Sequence, residues 1–110
     1  MDTIEVQSRK KTRLTLQSTL EGLLGSRNVY YQPPENLKME YPCIRYSVAR
    51  HKVDYADNIK YRTAKVYDLV VISKKPDDPV IDKILNLPYT EFDRHYVYDG
   101  LNHDIITIYW

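Results

Sequence analysis

The chain is poor in the residues that announce chemistry or a secreted scaffold. It has one cysteine, Cys43, in 110 residues, which excludes an internal disulfide and fits a reducing compartment. Cys43 sits beside Pro42 and Ile44 in an apparent strand. It reads as a small buried hydrophobe, because no local His or Asn pattern supports a catalytic thiol. Three glycines are too few for a phosphate-cradling loop, and Ser18, Ser47 and Ser73 lack the glycines of a nucleophile elbow. No apolar run approaches the roughly 20 residues that span a bilayer. The opening residues Met1, Asp2, Thr3, Ile4 and Glu5 lack the basic-then-apolar order of a signal peptide. Neither sign of charge dominates: 16 basic and 15 acidic residues leave +1. A dedicated nucleic-acid binder draws much of its affinity from a basic excess, so this balance argues against one.

What the chain has instead is tyrosine: 11 residues, against one Phe and one Trp. Tyrosine fills space like Phe but keeps a polar end, which suits surfaces that are wet at one time and buried at another. It is also an ordinary β-former. With 43% hydrophobic residues, residues 1–110 form one domain with a modest core.

Leu16, Leu20, Leu23 and Leu24 recur at helical spacing, and Gly25 is placed to stop that helix in a left-handed conformation. Its start is open: Asp2 with Glu5 as a capping box gives a long helix, and Thr12 or Thr15 opens a shorter one. A short strand over 28–31 is ended by Pro33 and Pro34. From Cys43 to Arg50, Ile44, Tyr46 and Val48 alternate with Cys43, Arg45, Ser47 and Ala49. Residues 51–60 are charged and interrupted and read as a long hairpin loop. The strand over 61–74 starts amphipathic and becomes continuously apolar at Leu69, Val70, Val71 and Ile72. One end is therefore expected to be buried on both faces and the other to stand proud of the domain.

Asp78 as cap and Pro79 at the first helical position open a second helix. Its stripe is Val80, Ile81, Ile84, Leu85 and Leu87, with Pro88 marking the end. A final hairpin runs over 90–110 with a turn at Asp99 and Gly100. Its alternation places Phe92, Arg94, Tyr96 and Tyr98 on one face and Asp93, His95 and Val97 on the other. The order α-β-β-β-α-β-β predicts an α+β fold: about five strands in a mainly antiparallel sheet, with two helices on one face. The other face is then polar or covered by another subunit.

The acids and histidines do not assemble into a site. His95 with Asp93, or His103 with Asp104, lacks metal-ligand spacing, and the hairpin is expected to set His95 opposite His103. Asp77 and Asp78 sit where a helix N-terminus favours negative charge. Asp54 and Asp57 lack the glycine and terminal glutamate of a calcium loop. No cofactor and no catalysis is indicated.

Residues 20–34 (LEGLLGSRNVYYQPP) and 39–44 (MEYPCI) resemble the tail completion, or tail terminator, proteins of long-tailed bacteriophages and prophages. So do Pro88, residues 92–96 (FDRHY) and residues 99–104 (DGLNHD). The resemblance covers nearly everything after Leu14 and implies a structural protein rather than an enzyme. It implies a homohexameric ring on the tail tube protein, joined above to the head connector, in the virion and, during assembly, in the host cytoplasm without membrane contact. A ring subunit needs two different surfaces for its neighbours. The candidate subunit or tube contacts are His51, Lys52, Asp54, Tyr55, Asp57 and Lys60, together with Tyr109 and Trp110. The basic cluster Arg9, Lys10, Lys11 and Arg13 matches no family motif. It is a solvated face, or it contacts a partner or, in a ring lumen, exiting DNA through weak salt-sensitive bonds. Competing readings are a head-completion or neck connector protein, a small nucleic-acid-binding regulator using Arg9–Arg13 and the tyrosines, and a small hydrolase using His95, His103 and Asp104.

Overall fold

The computed structural model describes residues 12–56 and 59–110, and for 50–56 and 59–64 it describes the backbone alone. The described elements are α1 (Arg13–Leu24), β1 (Val29–Tyr31), β2 (Cys43–Ala56), β3 (Ile59–Ser73), α2 (Pro79–Leu85), β4 (Thr90–Tyr98) and β5 (Leu101–Tyr109). This is the expected α+β order. One five-stranded sheet runs β1-β2-β3-β5-β4. It is antiparallel except for β1 beside β2, which is parallel.

Local chemistry sets the helix limits. Thr12 and Thr15 cap α1 reciprocally: the Thr12 hydroxyl accepts from the Thr15 amide at 3.3 Å, and the Thr12 amide donates to the Thr15 hydroxyl at 2.9 Å. This is the shorter of the two starts left open by the sequence; Asp2 and Glu5 lie outside the described residues. Gly25 ends α1 at φ 84°, a conformation that costs glycine nothing. Asp78 caps α2 through its bond to the Val80 amide at 3.1 Å, with Pro79 next. Asp99 and Gly100 both have positive φ (55° and 73°), as a tight hairpin turn requires.

Both helices pack on one face of the sheet. Leu16 and Leu20 of α1 and Val80 and Ile84 of α2 meet Ile44, Tyr46, Tyr67, Leu69, Val71, Ile106 and Ile108. Two tyrosines belong to this core: Tyr46 and Tyr67 are buried with ring centroids 5.9 Å apart. The continuous apolar run of β3 is buried on both faces at its end, where Ile72 pairs with the equally buried Cys43.

Two expectations are corrected. Residues 51–56, 59 and 60 are strand rather than loop, because β2 continues to Ala56 and β3 begins at Ile59. Ladder bonds need no apolar face, so a charged sequence with Val53 and Tyr55 sustains the pairing. Among the described strands, β5 flanks β3 only from Val66 onward and β1 flanks β2 only at 44–46. Residues 50–56 and 59–65 therefore form a two-stranded arm of about 20 Å, with a bulge at its root between Val48 and Arg50.

The second correction concerns the final hairpin. Its ladder is shifted between Phe92, opposite Ile106, and Arg94, opposite Ile105. Asp93 is the extra residue, and one inserted residue inverts the alternation beyond it. Phe92, His95 and Val97 consequently share the helix-bearing face, while Arg94, Tyr96 and Tyr98 face the other way. The bulge also separates the histidines: His95 lies opposite Asp104 and His103 opposite Tyr96.

Candidate assembly surface

The outermost strand β4 differs from the rest of the molecule. It lies at an edge of the sheet, and eight of its nine residues are exposed, Thr90 being half-buried. Of the seven exposed large apolar residues among those described, four fall here, Phe92, Tyr96, Val97 and Tyr98, and a fifth, Tyr89, immediately precedes the strand. Tyr98 is 71% exposed and Val97 62%. Soluble proteins blunt such edges with charge, proline or bulges. Here Glu91, the Asp93 bulge and Arg94 blunt the first half, while His95, Tyr96, Val97 and Tyr98 carry no fixed charge.

The helix-free face adjoins this edge. Arg45 and Ser47 of β2, Asp68 and Val70 of β3, with Gln32 and Pro33, line a groove of about 280 Å³. Tyr89, Thr90, Glu91, Thr107 and Tyr109 line a second depression of about 310 Å³. The face is mixed in polarity, as expected of a surface without a helical cover.

The hairpin histidines are held by their own neighbours. His95 Nδ1 donates to Asp104 Oδ1 at 2.9 Å, fixing its tautomer. His103 stacks on Tyr96 with centroids 4.7 Å apart and donates from Nδ1 to the Leu101 carbonyl at 3.0 Å. Beside α2, His95, Asp104, Asp77, Asp78 and Asp82 line an open cleft of about 540 Å³ with Ile81, Leu85 and Phe92. Asp78 is already engaged by the Val80 amide and the Ser73 hydroxyl. No group of three or more His, Cys, Asp or Glu side chains among the described residues is placed to hold a metal ion. Cys43 is buried, and burial pushes its thiol up to about 11, with the Arg45 charge opposing weakly.

The residues singled out from sequence fall in three places. His51, Lys52, Asp54 and Tyr55 stand on the β2 half of the arm and Lys60 on the β3 half, where Tyr55 pairs with Lys60. Asp57, Arg9, Lys10 and Lys11 lie outside the described residues. Arg13 is drawn into the subunit: its guanidinium lies 4.4 Å from the Tyr31 ring centre and donates to the Tyr46 hydroxyl at 3.3 Å. Tyr109 and Trp110 are half-buried at the end of β5, and the Trp110 indole donates to the Thr12 carbonyl at 2.9 Å and the Thr15 hydroxyl at 3.0 Å. Sequence reasoning passed over Val97 and Tyr98, although an aromatic and β-branched run just before an Asp-Gly turn marks a strand end.

No family model matches the chain, and no curated protein matches it either.

Proposed function

We propose that this chain is a structural assembly subunit that caps a phage tail tube as a ring. It stops tube polymerisation and presents a new surface to the head connector. The proposal combines the resemblance carried by residues 20–34 and 39–44, Pro88, and residues 92–96 and 99–104 with one structural observation. That observation is the clustering of exposed apolar residues on an open edge strand, next to a sheet face without helices. Exposed apolar clusters of this kind mark interaction sites, and a ring subunit must offer two unlike surfaces. The mechanism is binding: docking on the last tube ring covers the site at which the next tube subunit would add. The partners are further copies of the chain, the tube protein and the neck protein, in the virion and in the host cytoplasm during assembly.

The test removes the arm. A variant lacking residues 52–60, closed by a short turn, is expected to keep its fold, because the arm pairs only with itself among the described strands. Mixed with polymerising tube protein, it should fail to limit tube length, whereas the intact chain gives tubes of uniform length under electron microscopy. Tubes unaffected by the intact chain refute the function.

A further inference from the structure

The sheet has two open edges at opposite ends, and they are unlike. At one end is β4, nine residues long, with no strand on its outer side among the described residues. At the other end β1 flanks β2 only at Ile44, Arg45 and Tyr46. Just beyond, the side chain of Gln32 lies 3.5 Å from the Val48 amide. From Ala49 to Ala56, eight residues of β2 have no strand beside their outer edge among the described residues. The two free lengths match to within one residue.

Their charges are opposite. Residues 90–98 hold Glu91, Asp93 and Arg94, a net of −1. Residues 49–56 hold Arg50, Lys52 and Asp54, a net of +1, and the β3 half of the arm adds Lys60, Arg62 and Lys65. An edge-to-edge contact between two β4 strands would instead join like with like.

We propose that β4 of one copy adds as a strand to the outer edge of β2 in the next copy, alongside the arm. The occupant of the exposed β4 edge is thus a second copy of this chain. Main-chain hydrogen bonds supply the attachment, and Tyr96, Val97 and Tyr98 supply the apolar contact. The contact is head-to-tail, so each subunit uses both edges and a ring closes by rotation. The proposal deepens the ring reading given above and rests on it for closure.

Two single-cysteine additions test it. Val97→Cys lies on β4 and Lys52→Cys on the free stretch of β2; native Cys43 is buried and stays silent to a thiol crosslinker. An equimolar mixture of the two variants should crosslink into a two-chain product, while neither variant alone should do so. The charge-inserting variant Val97→Lys should raise the concentration needed for assembly at least about tenfold, equivalent to about 1.4 kcal/mol. Its unfolding midpoint should not move. Efficient crosslinking of Val97→Cys with itself overturns the proposal in favour of a β4–β4 dimer. Assemblies without mixed crosslinks overturn it, as does a chain that is monomeric both alone and on tubes. Mixed crosslinks without any effect on tube length would leave the strand pairing standing and remove the tail function. Tube capping without mixed crosslinks would do the reverse.

Discussion

The indole nitrogen of Trp110 donates to the carbonyl oxygen of Thr12 at 2.9 Å, across 98 residues of sequence. The same indole reaches the Thr15 hydroxyl at 3.0 Å. Thr12 and Thr15 form the capping box of α1, so the end of β5 is fastened to the start of the helix that covers the sheet. The Trp110 amide adds a bond to the Lys65 carbonyl at 2.9 Å, at the root of the arm. The aromatic end of the final hairpin is therefore tied into the subunit's own packing.

Trp110→Phe should cost about 1 kcal/mol, the usual net value of a hydrogen bond. The loss is modest because the Thr12 carbonyl also accepts from the Leu16 amide at 3.0 Å and the Thr15 hydroxyl at 2.8 Å, so no acceptor is orphaned. Trp110→Ala also removes the ring packed on the core and should cost about 3 kcal/mol. Urea unfolding of the two variants separates the hydrogen bond from the packing. Equal losses would mean that the bond contributes nothing.

Tyr46→Phe tests the polar cluster beneath α1. The Tyr46 hydroxyl donates to Gln17 Oε1 at 2.6 Å and accepts from Arg13 at 3.3 Å, and Gln17 Nε2 in turn donates to Glu21 and to the Val29 carbonyl, each at 2.9 Å. Removing the hydroxyl leaves the Gln17 oxygen and Arg13 short of a partner. A loss of about 1–2 kcal/mol is expected, measured by chemical denaturation at neutral pH. A variant as stable as the parent would show that both groups rehydrate freely.

The end of the first helix at Gly25, the Asp78 cap, the leucine and isoleucine stripes, the succession of helices and strands along the chain and the tight turn at Asp99 and Gly100 were legible, because each depends on residues within one or two turns of chain. The start of the first helix was narrowed to two positions, and the order of strands within the sheet was not legible. Two more features were partly or wholly missed. The arm was half legible: the protruding end of the strand over 61–74 was expected, but its pairing with residues 50–56 was hidden, because ladder bonding is a backbone property that a charged sequence does not advertise. The bulge at Asp93 was hidden because nothing in the run Phe92, Asp93, Arg94, His95 distinguishes an inserted residue from an alternating one. That single insertion decides which hairpin residues meet the helices, and so it brings His95 to Asp104 rather than to His103. The tyrosines, read as either interface or ordinary strand residues, divide by position: Tyr46 and Tyr67 are core, while Tyr89, Tyr96 and Tyr98 surround the open edge.

Stability should fall on the alkaline side. Burial raises the Cys43 thiol from 9.0 to about 11 and also raises the Tyr46 and Tyr67 phenols. The folded chain thus keeps protons that the unfolded chain releases. Stability is full below about pH 9, where both states are protonated. It then declines with a slope of up to about 1.4 kcal/mol per pH unit for each group titrating. Cys43 contributes the fall between about 9 and 11, and the phenols add to it above about pH 10. Unfolding free energies measured from pH 7 to 11 should show this bend, and Cys43→Ala should delay it. A bend unchanged in Cys43→Ala would assign the whole effect to the tyrosines.

Deletion of Asp93 should be tolerated. Without it, Phe92 opposite Ile106, Arg94 opposite Ile105 and His95 opposite Asp104 become consecutive pairs of a regular antiparallel ladder. No side chain changes face and no core residue moves, so the unfolding free energy should stay within about 1 kcal/mol of the parent. The outer edge, however, loses the bulge and its local twist, a device that discourages strand addition. The variant should therefore self-associate at lower concentration than the parent, as read by sedimentation. A loss of several kcal/mol would show that the bulge holds the hairpin against the helices. Unchanged association would show that the first half of β4 takes no part in contacts between copies.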